Sequence, residues 1–186
     1  MVKCIGLAAV SLLAGLLLVP VGGRAASADA PGRFDTVAEY GRVTRVWDGD
    51  TVVITPVGKR KGYNCRLYGI DAPETRKKEI PGQPYGMAAA AALRKLVLSR
   101  EVVVELTGEQ SYRRKVGIIL LEGVDLNREM VRRGYAWAYV RHLRGPYASA
   151  YLEAEKEARQ ERRGLWRDRN PLPPWEFRSQ LRVNGK

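Results

Sequence analysis

Five short β-branched runs and one alanine-rich helix, in a fixed order between residues 40 and 121, constrain this chain more than any other feature. Val43, Val46 and Trp47 belong to the first run, and Thr51, Val52, Val53 and Ile54 make the second. Asp48-Gly49-Asp50 lies between them, and Asp-Gly flanked by β-rich residues predicts a hairpin. Residues 56–62 combine proline, glycine and basic residues into a second turn, so that 63–70 completes a three-stranded meander. The helix follows at 85–98, where Met87, five consecutive alanines (88–92), Leu93, Leu96 and Leu98 give high propensity and a thin face for close packing. Residues 101–106 and 116–121 form the last two strands, on either side of a polar turn at 108–113. Two further helices are predicted at 126–133 and 146–163, stopped by Gly134 and Gly164. A ferredoxin-like fold needs helices after single strands, which this order lacks. It predicts instead an α+β chain, mainly β: an OB-type five-stranded barrel with three helices.

The barrel does not begin at the first residue. Lys3 precedes an almost wholly apolar run at 5–19, and Ala26-Ser27-Ala28 has the small residues of a cleavage site, so 1–28 reads as a cleaved signal peptide. The apolar run is shorter than the roughly 20 residues that span a bilayer, so no stable membrane span is expected after cleavage. Cys4 precedes the run, whereas a lipid-modified cysteine would follow it. Residues 29–39 form a lead-in, 40–178 the domain and 179–186 a C-terminal tail, with Pro171, Pro173 and Pro174 stopping regular structure. The expected location is periplasmic or secreted, and the expected state a monomer. Cys65 is then left without a partner for an intramolecular disulfide, and it reads as a buried strand residue.

Charge narrows the partners. The chain carries 32 Lys and Arg against 20 Asp and Glu. Loss of 1–28 removes Lys3 and Arg24 and no acid, so the excess persists. An imbalance of this size favours an anionic partner. The charges cluster at Lys59-Arg60-Lys61, Arg76-Lys77-Lys78, Arg113-Arg114-Lys115, Arg132-Arg133 and Arg162-Arg163, mostly beside turns or helix ends. No basic amphipathic helix with an aromatic face accompanies them, so the pattern suits a phosphate backbone better than a lipid surface.

Acids placed among these cations point to chemistry. In the stretch Cys65-Arg66-Leu67-Tyr68-Gly69-Ile70-Asp71-Ala72-Pro73-Glu74 a strand gives way to a turn, because Pro73 ends regular pairing. Neighbouring strands lie ~5 Å apart, so Asp50 and Asp71 can meet at the barrel mouth. Two carboxylates with a carbonyl and waters make a hard, oxygen-only site suited to Ca²⁺ or Mg²⁺. With a single histidine, His142, and no cysteine cluster, no zinc site is expected. Arg66 and the pair Arg113-Arg114 can grip phosphate oxygens in a bidentate way, and Glu74 suits a general base that takes the proton of an attacking water.

These residues carry a resemblance. Val46-Trp47-Asp48-Gly49-Asp50-Thr51, then Arg66 through Glu74, then Gln83-Pro84-Tyr85-Gly86 before the alanine-rich helix, resemble the staphylococcal nuclease (thermonuclease) family. So do Gly134-Tyr135-Ala136-Trp137-Ala138-Tyr139 and Ala158-Arg159 with the later Gly164-Leu165-Trp166. The resemblance implies Ca²⁺-dependent hydrolysis of DNA and RNA, with 3′-phosphate ends as products. It makes Asp50, Asp71 and the backbone carbonyl of Ala72 the calcium ligands. Arg66 and Arg114 would hold the scissile phosphate, Glu74 would activate water, and Tyr112 and Tyr139 would border the nucleotide. The chain departs from the pattern at Ala72, where the reference member has threonine, and at Arg113, where the family often has glycine. Ser111 and Arg141 replace a lysine and a tyrosine of that member. Either Arg113 or Arg114 is therefore available to the phosphate.

Two function classes follow: an exported nuclease, or a non-catalytic OB module that binds nucleic acid. A third, a basic surface protein for acidic polysaccharide, leaves the carboxylates without a purpose. A mere binder gains nothing from acids facing a polyanion, since like charge costs affinity.

Overall fold

In the first strand the alternation of apolar and polar residues is interrupted. Val43 and Val46 are buried while Arg42, Thr44 and Arg45 are exposed, because a register shift between Val43 and Arg45 resets which face turns inward. The computed structural model describes residues 37–78 and 81–184. The signal segment expected at 1–28 and the lead-in as far as residue 36 lie outside the described residues. No helix among the described residues is long and apolar enough to cross a membrane.

β1 (Val37–Val46) pairs antiparallel with β2 (Thr51–Pro56), and β2 with β3 (Tyr63–Leu67). β4 is a two-residue strand, Ile70–Asp71, followed by α1 (Gly86–Val97). β5 (Glu101–Ser111) runs along the other edge of β1 and pairs with β6 (Arg114–Leu121). Parallel pairing of β3 with β6, Cys65 opposite Lys115 and Leu67 opposite Gly117, closes the five-stranded OB barrel. β7 (Val124–Asp125) extends its edge and leads into α2 (Leu126–Arg132). β8 (Trp137–Ala138) pairs with β4, and α3 (Pro146–Gln160) and a 3₁₀ turn (Gly164–Arg167) follow.

Buried Val43, Ile54, Leu67, Leu93, Ile118 and Met130 join barrel, α1 and α2 in one core. Cys65 lies in it, and burial pushes its thiol up to about 12. Asn127 of α2 is fully buried and knits the layers: its amide donates to the carbonyls of Tyr68 and Gly117 and accepts from the Ile119 amide. Every polar atom of that side chain is thus paired, as burial demands.

Besides the start of β1 at Val37, within the span expected as lead-in, the structure departs from expectation in three places, and each shapes the candidate site. The strand expected over 63–70 breaks at Gly69, whose φ of +72° is left-handed and whose missing Cβ leaves room for Leu143. The chain restarts as β4 with Asp71 at its end. The turn expected at 108–113 shrinks to Tyr112-Arg113, because pairing resumes past an irregularity at Gln110–Lys115 and Ser111–Arg114. The third departure runs from the end of the expected domain into the span read as a tail. Pro174 opens a fourth helix, α4 (Pro174–Asn184), where the prolines were expected to stop regular structure. A proline in the first turn loses no hydrogen bond and has its φ preset for a helix, so it starts α4 here.

Candidate active site

The break at Gly69 and the Asp48–Asp50 hairpin bring their acids to one end of the barrel. Arg66 opposes Thr51 across the β2–β3 ladder, which sets its side chain beside the hairpin. Its guanidinium bridges two buried carboxylates: Nη1 donates to Asp50 Oδ1, and Nη2 donates to Asp71 Oδ1 at 2.8 Å and to the Ile70 carbonyl at 3.2 Å. Asp50 also accepts from the Thr51 hydroxyl and, through Oδ2, from the Ala72 amide, both at 2.9 Å. That amide is the contact observed between Ala72 and the acid cluster.

Electrostatics follow from these partners. Burial works against the Asp50 carboxylate, but Arg66, the Ala72 amide and the Thr51 hydroxyl outweigh it and hold Asp50 below the usual carboxylate range. Burial likewise works against the Arg66 cation, and Asp50 and Asp71 more than offset it, holding the guanidinium above its ordinary value. Asp48 has weaker help: burial, and next the charge of Asp50, outweigh the Asp50 amide that donates to it at 3.2 Å and Lys77 at 3.7 Å, and push its carboxyl up to about 7.

Glu74 sits where α1 meets the strand mouth. Its amide donates to Gln83 Oε1, and Gly86 lies so close that a Cβ there would overlap the Glu74 carbonyl. Its carboxylate accepts from Arg178 at 2.9 Å through Oε1 and contacts Lys77 at 3.4 Å through Oε2. Arg114 reaches back to the Thr51 hydroxyl and is anchored by the carbonyl and hydroxyl of Ser111.

A cleft of about 470 Å³ joins these groups, lined by Asp48, Arg66, Glu74, Arg114, Tyr112 and Tyr139 among others. Arg113 points elsewhere: it is exposed and absent from the lining, while Arg114 belongs to it. Tyr112, with a φ of +59°, stands 96% exposed at the rim. Tyr139 stacks on Trp175 of α4 at 5.4 Å and tilts against His142 at 5.0 Å. Asp50 and Asp71 lie under this cleft, buried to 3% and 0% exposure.

Sequence reasoning passed over two of the participants. Asp48 reads as a turn acid, although an Asp-Gly-Asp doublet at a strand mouth is the signal that marks it. Arg178 donates to both oxygens of Asp71, at 3.2 and 2.7 Å, as well as to Glu74. It lies 107 residues from Asp71, and no spacing rule connects them.

A closed OB barrel thus carries, at one end, a cleft lined by Arg66 and Arg114 over buried acids, a preorganised field of fixed charge. The sequence pattern described as staphylococcal nuclease homologue matches residues 64–168. An uncharacterized endonuclease of Escherichia coli O157:H7 is 37% identical over 140 residues, covering 75% of this chain and 84% of its own. A micrococcal nuclease of Shigella flexneri is 35% identical over 147 residues, covering 74% and 79%. A probable staphylococcal-like nuclease of Oryza sativa subsp. japonica is 38% identical over 125 residues, 67% of this chain but 35% of that one. The chain belongs to the staphylococcal nuclease family.

Proposed function

We propose that this chain is an exported, calcium-dependent nuclease that hydrolyses phosphodiester bonds of DNA and RNA with little sequence specificity and leaves 3′-phosphate ends. The observation that carries the reading is the convergence of Arg66, Glu74 and Arg114 on one cleft above Asp50 and Asp71. The relatives named as nucleases support the reaction class, and the N-terminal segment supports export.

The donors around Asp50 suit a divalent ion. Among the described residues no ready group of three His, Cys, Asp or Glu ligands is assembled, yet Arg66 touches both Asp50 and Asp71, so the two acids lie side by side. All donors are oxygens, the preference of calcium. Asp50, Asp71 and the Ala72 carbonyl would hold the ion. Bound there, it would supply positive charge to the scissile phosphate.

The protein's own residues do the rest. Arg66, fixed by two acids and a carbonyl, and Arg114, fixed by Thr51 and Ser111, offer preset positive charge where negative charge builds on phosphate oxygens. Glu74 has a partly open carboxylate at the cleft and accepts the proton of the attacking water. Tyr112 presents an exposed ring face on which a base stacks without regard to sequence, and Tyr139, stacked on Trp175, borders the same cleft. The base assignment is tested with Glu74→Gln. Turnover should fall by roughly 10²–10⁴ while binding of heat-denatured DNA stays intact, and retained turnover would remove Glu74 from that role.

A further inference from the structure

Both oxygens of Asp71 are occupied by guanidinium donors. Oδ1 accepts from Arg66 and Arg178, and Oδ2 accepts from Arg178 at 2.7 Å. A carboxylate offers about four lone-pair sites, and three of those on Asp71 are taken. The acid is fully buried, so its charge must be balanced. Arg66 is already shared with Asp50, and the second positive charge comes from α4.

The attachment of α4 is concentrated in and just before its first turn. Gln83 donates to the Leu172 carbonyl, Pro174 is buried, and Trp175 stacks on Tyr139 and meets Trp137 edge-on at 6.3 Å. Beyond Arg178 the helix exposes Ser179, Gln180, Arg182 and Val183. An element tied at one end, with few buried apolar contacts along the rest, opens at low free-energy cost. Arg182 lines the cleft one turn after Arg178 and has no acid within ion-pair distance among the described residues.

We propose that Arg178 is a positioning residue that holds the place of the divalent cation: it balances Asp71 and Glu74 while the ion is absent and releases Asp71 when the ion binds. The inference rests on the calcium reading given above. A dication and a guanidinium on the same buried carboxylate repel each other, so ion binding and the Arg178–Asp71 pair compete. Release frees Arg178, which lines the cleft together with Arg182, to meet phosphates of the nucleic acid. The last helix then acts as an ion-gated strap, and Glu74 loses its Arg178 partner and keeps only Lys77, at 3.4 Å, at the moment the site is loaded.

The test is calorimetric titration of Ca²⁺ into the full chain without nucleic acid. Arg178→Met removes the competitor and should bind calcium about tenfold or more tighter, the equivalent of a charge-assisted hydrogen bond no longer broken. Arg178→Lys keeps the charge that folding needs but not the two-oxygen grip, and its affinity should fall between the two. Arg182→Gln removes an equal charge from the same helix without touching Asp71, and should change affinity by less than about twofold at ordinary salt. Calcium affinity in Arg178→Met or Arg178→Lys that is equal to or weaker than the wild type's, with unchanged circular dichroism, would overturn the competition and leave the calcium reading standing. Absence of binding to every variant and to the wild type would remove the calcium reading and this inference together.

Discussion

Arg178 aside, two arginine–carboxylate clusters in this molecule mirror each other in composition. In the cleft one arginine, Arg66, bridges two acids, Asp50 and Asp71; on α2 one acid, Glu129, bridges two arginines, Arg132 and Arg133. Contact distances are alike, 2.8 Å for Arg66–Asp71 against 2.7 and 2.6 Å on the helix. Solvent separates them. Side-chain exposure is 17% for Arg66, 4% for Asp50 and 0% for Asp71, against 43%, 47% and 11% for Arg132, Arg133 and Glu129. The helical cluster is made by neighbours three and four apart, which adds a few tenths of a kcal/mol per pair and depends on salt. The cleft cluster joins a hairpin, a strand and a strand end. Its ions are desolvated, and a desolvated pair is valuable for holding charge in a fixed place, not for net stability.

Breaking the cleft cluster should therefore give the largest effect. Arg66→Ala leaves Asp50 and Asp71 short of a partner and is expected to cost about 3–5 kcal/mol in a denaturant melt. Activity should fall by at least roughly 10²–10³ beyond any loss of folded protein. A melt within 1 kcal/mol of wild type would mean that the pair is as solvated as the one on α2.

Asp48 sharpens the comparison through pH. Its carboxyl rests near 7 in the folded chain, raised by burial and then by Asp50, and near the ordinary 3.8 when unfolded. Between those values the native state holds the proton more tightly, so stability from this group falls as pH rises from about 4 to about 7. Asp50 acts in the opposite sense: held below its ordinary value, it contributes stability that is lost as pH drops below about 4. Melts of the metal-free protein across this range should slope downward between pH 4 and 7, and Asp48→Asn should flatten that slope. An unchanged slope in the variant would place its cause at another group.

The smallest effect belongs to α2. Arg133→Gln leaves Glu129 paired with Arg132, and a shift of about 0–1 kcal/mol is expected, vanishing in high salt. A cost near that of Arg66→Ala would erase the distinction drawn between the two clusters.

The two clusters also differ in how visible they were in the sequence. The α2 cluster follows from spacing alone. The barrel did too, since Asp-Gly punctuation and β-branched runs are local signals. Within the cleft, Arg66, Asp71 and Glu74 sit in one ten-residue stretch, and Asp50 belongs to the strand paired beside it, so the barrel wall of the site was legible. The α4 wall was not. Three prolines look like an end of structure, yet Pro174 is a helix start, and a guanidinium that arrives from 107 residues away leaves no periodic trace. The same limit applies at Gly69, where a residue that reads as mid-strand makes the turn that aims Asp71, because Leu143 and Tyr151 from later in the chain fill the space a side chain would need. That Arg114 and not Arg113 lines the cleft follows from the tight Tyr112-Arg113 turn, which depends on where β5 resumes pairing.

The most direct test of the central claim is release of acid-soluble nucleotides from heat-denatured DNA by the purified protein, once with millimolar Ca²⁺ and once with a chelator. The account predicts release that depends on calcium. Salt-sensitive DNA binding without release in either condition would contradict it and leave a basic OB module whose acids serve the fold alone.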